Sequence, residues 1–292
     1  MELVQHWQVP SSFFIFDLEF IGDVRKLKTC KIWEIAVFSL TSNQWFEAVV
    51  DPDPTANEFP LPPIPEIPRL TRKFLDENNA QSWSSVFKQL THWISAQSMG
   101  AVPIFISHNT FRADKPIMEL ETSAIGEILP LNWYFFDSLH FSRRVIKNAT
   151  GNYSLSGLHI QLFDQPIKDA HRARADVVAC TRIMTAITNG QWDIKGPIYP
   201  SYCTALRTIR WIGQKAEELL YGENIRSVEQ LYTLIQANAR KDCVQNSIVM
   251  ERSIMNTLNV LIQNRLPDDN IKNIAAVLNE MQYPMCFTFT VN

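Results

Sequence analysis

The chain of 292 residues is 46% hydrophobic and 20% charged, the balance of a soluble globular protein with enough length for a sizeable core. Its formal net charge of −3 excludes a global positive field, so a nucleic-acid partner would have to be held by local chemistry. Five scattered cysteines (Cys30, Cys180, Cys203, Cys243 and Cys286) show no C-x-x-C spacing, which argues against a structural zinc site and fits a reducing compartment, cytoplasm or nucleus. The start, MELVQHWQVPSS, has no signal-peptide pattern, and no apolar run reaches the ~18 residues of a membrane span. On that reading the N-x-S/T matches at Asn148 and Asn152 are accidental.

In chain order, FFIFDLEF, KIWEIAVFSL and QWFEAVV are runs of β-branched and aromatic residues joined by short polar connections, predicting three antiparallel strands. The proline-rich DPDPTANEFPLPPIPEIP excludes helix and predicts an extended surface path. After it, Trp83, Phe87, Leu90 and Ile94 fall at helical spacing behind a capping Ser82. VPIFIS and NWYFFDS are two more strands, with a helix-compatible DKPIMELETSAIGE between them, and HRARADVVACTRIMTAITNG predicts a helix closing at Gly190. Three strands followed by strand–helix alternation predict an α/β fold with a mixed sheet. Gly196, Pro197 and Pro200 mark a boundary, giving a domain over 1–195 and a smaller, mainly helical one over 196–292. The tail MCFTFTVN reads as a final strand or a docked terminus.

Within the first strand Asp17 and Glu19 are two apart, so both carboxylates point to one face. Two acids in a strand with greasy neighbours repel each other and lose hydration unless a cation lies between them, and oxygen ligands favour Mg²⁺ or Mn²⁺. An edge strand with two solvated acids is the plain alternative. Two further segments bear on the choice. Asp114 heads the helix after VPIFIS, and His171 and Asp176 are five apart. A helix starting near Ala173 leaves His171 on the preceding turn, where an imidazole titrating near neutral pH can serve as a general base.

In that order on those elements, Asp17, Glu19, Asp114, His171 and Asp176 resemble the DEDD superfamily of 3′→5′ exonucleases, histidine subclass (DEDDh, DnaQ-like), over roughly residues 11 to 190. Glu34-Ile35-Ala36, Leu70-Thr71 and Phe136-Asp137-Ser138-Leu139 match further family positions. HNTFRAD, with one residue more between His108 and Asp114 than the common form, resembles the mammalian DNA 3′-repair branch. Phe20 stands where many relatives carry threonine, and Arg112-Ala113 replace the usual aromatic.

The resemblance implies a ribonuclease-H-like, five-stranded mixed sheet flanked by helices. It implies two divalent ions, Mg²⁺ or Mn²⁺, ~4 Å apart, held by Asp17, Glu19, Asp114 and Asp176, with His171 as base and nucleoside 5′-monophosphates as product. It places Leu18, Phe20, Leu70, Thr71, Asn109 and Arg112 at the substrate, Phe20 by stacking or else as plain core. Lys115, Arg172 and Arg174 are candidates for phosphate contacts or solvated charges. ALRTIRWIGQKAEELLYGENIRSVEQLYTLI, residues 205–235, resembles a helix-hairpin-helix module, though Trp211 replaces the first hairpin glycine and only Gly213 remains. Beyond it Ile248, Met255, Leu258, Val260 and Leu261 suit a core or a protein partner. The expectation is an exonuclease acting on single-stranded DNA in repair or proofreading. A 3′-end-trimming exoribonuclease and a catalytically silent adaptor on the same fold are the alternatives.

Overall fold

The computed structural model describes residues 10–56, 70–147, 151–192, 194 and 198–202, with scattered positions between 212 and 274. By its contacts the chain divides into two compact units, Met1–Tyr202 and Cys203–Asn292.

The first unit is built on β1 (Ser11–Ile21), β2 (Lys31–Ser39), β3 (Gln44–Val49), β4 (Val102–Ser107), β5 (Tyr134–Asp137) and the two-residue β6 (Tyr199–Pro200). Their order across the sheet is β3-β2-β1-β4-β5-β6. The first three strands are antiparallel neighbours, β4 and β5 continue parallel to β1, and β6 closes the far edge antiparallel to β5. This is a mixed, ribonuclease-H-like sheet. It has one more strand than the five expected, because the pair Tyr199–Pro200 is too short to leave a periodic signal.

The helices are α1 (Arg72–Glu77), α2 (Trp83–Ser98), α3 (Asp114–Ala124), α4 (Ser138–Val145), α5 (Leu155–Phe163) and α6 (Ala173–Ile187). Ser82 caps α2 by accepting the Ser85 N–H, and Trp83, Phe87, Leu90 and Ile94 are all buried. A 3-10 turn over Val24–Thr29 joins β1 to β2.

Pleat alternation in β1 separates two cores. On one face Phe105 stacks with Phe14 and Phe135, Phe16 meets Phe105 and Phe135 edge-on, and Trp93 of α2 meets Phe14 edge-on. On the other, Ile15 packs with Ala36, Ile104 and Ile106 against Ala173, Val177, Cys180 and Met184 of α6. Asp17 and Glu19 share the parity of Ile15, so continuing β1 beyond that core carries both acids toward the start of α6.

In the second unit Ile212, Ala216, Leu220, Ile225, Val228, Leu231, Leu258 and Ile274 are buried. Helical backbone at residues 216, 217, 219, 220, 228, 230 and 231 agrees with a helical reading there, and Leu258 is spent on packing. Trp211 and Gly213 of the hairpin-like segment, Ile248, Met255, Val260, Leu261, the tail MCFTFTVN, Asn148 and residues 57–69 of the proline-rich segment lie outside the described residues. No helix among the described residues is long and apolar enough to cross a membrane.

Candidate active site

Asp17 is supplied by the middle of the sheet. Its carboxyl is pushed well above the usual range, first by burial and then by the like charges of Asp114, Glu19, Asp176 and Glu34. Glu19 lies at a bulge, where the β1–β2 register slips between Glu19 and Phe20, and burial with the charges of Asp176, Glu34 and Asp114 raises it to about 8.

Asp114 comes from the parallel half of the sheet. β4 ends at Ser107, and the chain turns through Asn109, which takes a left-handed φ of 76°, before α3 begins at Asp114. The extra residue of HNTFRAD is absorbed in this turn, where Arg112 and Ala113 N–H both donate to Asn109 O and Phe111 is buried against Tyr199 of β6. Arg112 is left exposed. Ser107 Oγ donates to Asp114 Oδ2 at 2.8 Å and the Leu18 N–H to Oδ1 at 3.3 Å, so one backbone group adjoins both Asp17 and Asp114. Burial still lifts Asp114 to about 7, against the lowering effect of those two bonds.

The third contribution is the start of α6. His171 precedes the helix with φ +66° and donates its N–H to Asp176 Oδ2 at 3.3 Å. Burial raises Asp176 to about 6, while His171 opposes the rise. Ligand atoms of Glu19, His171 and Asp176 all lie within 4.8 Å of one another. Asp17 and Asp114 stand outside that triple but act on Glu19 and on each other through their charges. Buried and half-buried carboxylates with raised protonation and converging oxygens form the donor set of a hard divalent cation, so the residues present fit the expected metal.

The proposed substrate residues divide. Phe20 is half-buried beside the bulge and Asn109 half-buried at the turn, its N–H donating to Asp137 Oδ1 at 3.0 Å. Leu18 is buried. Leu70 is core, clustered with Ile21, Trp33 and Leu75, and Thr71 is the N-cap of α1, accepting the Phe74 N–H at 3.2 Å.

The basic candidates are committed within the protein. Lys115 is buried and bonds Glu119, Arg174 bonds Glu47 and lies over Trp45, and Arg172 bonds Glu34. Two residues did not figure among the predicted site residues. Asp137 fastens the Asn109 turn and caps α4 through the Leu139 N–H, and burial raises it to about 6. Glu34 lies opposite Glu19 in the β-ladder. Both were visible as motif letters, but their tasks depend on partners distant in the chain.

No family model and no curated protein matches the chain. Among solved structures it is similar to the nuclease domain of 3′hExo, described as a DEDDh family member bound to rAMP. The identity is 12% and the TM-score 0.49, over 64% of this chain and 96% of that one. It is also similar to cell-death related nuclease 4 (17% identity, TM-score 0.42), over 62% of this chain and 64% of that one. A third is a 3′-exonuclease solved in recognition of the histone mRNA stem-loop (12%, TM-score 0.49), over 63% and 65% respectively. The chain thus spans about two thirds of the latter two.

Proposed function

We propose that the chain is a metal-dependent 3′→5′ exonuclease that releases nucleoside 5′-monophosphates. The supporting observation is the meeting of Glu19, His171 and Asp176 within 4.8 Å beside half-buried Asp17 and buried Asp114, drawn from a strand and the starts of two helices. In this reading Asp17, Glu19, Asp114 and Asp176 would hold the divalent ions, Mg²⁺ or Mn²⁺. When bound, such ions would supply Lewis-acid activation of water and offset charge developing on the phosphate. The imidazole of His171, on the turn before α6 beside Glu19 and Asp176, takes the proton of the attacking water. Ser107 and the Leu18 N–H orient Asp114. Phe20 stacks on the terminal base.

DNA as the polymer rests on the hairpin-like segment of the sequence, and RNA is the second arm of the same test. The experiment is release of mononucleotide from 3′-labelled single-stranded DNA and RNA with Mg²⁺ or Mn²⁺, set beside Asp17→Ala. Metal-dependent release that Asp17→Ala abolishes is the expected result. No release from either polymer removes the enzyme reading and leaves the adaptor.

A further inference from the structure

We infer that Glu34 and Arg172 are a positioning pair that holds the His171 turn and the first turn of α6 against the catalytic strand; the inference rests on the nuclease reading of that site. The α6 helix starts without a capping side chain of its own. The first N–H groups of a helix have no partner within it, and a Ser, Thr, Asp or Asn at the N-cap ordinarily supplies one. At α6 the N-cap is Arg172, whose side chain makes no capping bond. The acceptor comes instead from β2, because Glu34 Oε2 takes the Ala173 N–H at 3.1 Å. A carboxylate there also meets the positive end of the helix dipole.

Arg172 then closes on the same carboxylate. Its Nε donates to Oε1 and Oε2 at 3.1 and 3.0 Å, and Nη2 donates to Oε1 at 2.7 Å. The guanidinium lies 6.0 Å from the Trp33 ring of β2 and 5.8 Å from Phe74 of α1, so two neighbouring elements fix its place. Both Glu34 oxygens are thereby engaged, one of them by a guanidinium charge as well as a helix-start N–H, and Glu34 stands outside the Glu19, His171 and Asp176 cluster.

The position of the clamp matters to the chemistry. Glu34 is the register partner of Glu19, and Arg172 directly follows His171. His171 adopts φ +66°, uncommon for a residue with a side chain and retained only where neighbours impose it. Asp176 holds its N–H from one side and the clamp holds the next two residues from the other. Supports of this kind, one bond removed from the ligands of a metal, typically change affinity or activity by about 10–100-fold when cut.

The test compares the full chain with Glu34→Gln, Arg172→Lys and Arg172→Ala. Glu34→Gln and Arg172→Ala should lower kcat by about 10-fold or more while KM for the oligonucleotide stays near wild type, because no proposed substrate contact is touched. Arg172→Lys keeps the charge but loses the fork, and should fall between wild type and Arg172→Ala. Added guanidinium ion should partly restore Arg172→Ala, a response that a merely unfolded variant would not give. Hydrogen–deuterium exchange over residues 171–176 should accelerate in Glu34→Gln while exchange in β1 and β4 holds. Unchanged exchange there, or unchanged kcat in an active protein, overturns the proposal. If the wild-type chain releases no nucleotide, the nuclease reading falls, and the exchange measurement still decides whether the pair pins the turn.

Discussion

At the scale of single residues, the acids are not equivalent. Asp17 touches every other charge of the cluster electrostatically, and Asp114 is held by two hydrogen bonds that leave little room for a substitute. Asp17→Ala and Asp114→Asn should each lower metal-dependent nucleotide release by more than the ~10–100-fold typical of losing a supporting group, as read by single-turnover assays at saturating Mn²⁺. Full activity in Asp114→Asn would remove that residue from the site. Phe20 calls for a different outcome. It is half-buried next to a register slip, so Phe20→Ala should leave the fold intact. Loss of a base stack worth about 1–3 kcal/mol should raise KM roughly 5- to 150-fold with a smaller change in kcat. A large drop in melting temperature with KM unchanged would assign Phe20 to the core instead.

At the scale of elements, what was legible in the sequence was what the chain encodes locally. β1, β2, β4 and β5 are dense in aromatic and β-branched residues, and α2 shows its apolar stripe and its Ser82 cap. Asp17 with Glu19, and His171 with Asp176, lie close in sequence on one strand and at one helix start, but each spacing is weak by itself and only the ordered set, with its family resemblance, marked them as a candidate site. The helices α4 and α5 were not read. They are eight and nine residues long, too short for periodicity to rise above their surroundings, although the capping residues Asp137 and Ser154 were present. The Glu34–Arg172 pair was not legible either, because 138 residues separate its members and only the folded sheet brings them together. The connection between β1 and β2 carries its own prediction. Gly22 has φ +103°, and a Cβ there would meet the Thr29 carbonyl oxygen at 2.4 Å, a backbone atom that cannot swing away. Gly22→Ala should therefore destabilise the domain by more than the ~1 kcal/mol of an ordinary glycine substitution, measured by urea unfolding. A loss below that value would mean that the 3-10 turn yields.

For the whole molecule, the cluster sets a relation between pH, metal and stability. In the metal-free protein Glu19, Asp114 and Asp176 are raised to about 8, 7 and 6, and Asp17 moves the same way, chiefly through burial and mutual repulsion. The unfolded chain releases these protons near pH 4. Between roughly pH 4 and 8 the folded state therefore holds more protons than the unfolded one, and stability falls as pH rises through that window. Divalent cations bind the deprotonated, folded site, so they compete with protons and stabilise by mass action, most strongly at the upper end. Thermal melts in EDTA should show a falling melting temperature from pH 5 to 8, and millimolar Mn²⁺ should recover it with a gain that grows over the same range. Asp17→Asn removes a central repulsive charge, and should flatten the pH dependence in EDTA while shrinking the Mn²⁺ gain. A metal-free protein that became steadily more stable toward pH 8 would mean that the acids are compensated within the protein, and the case for a cation at their centre would fall with it.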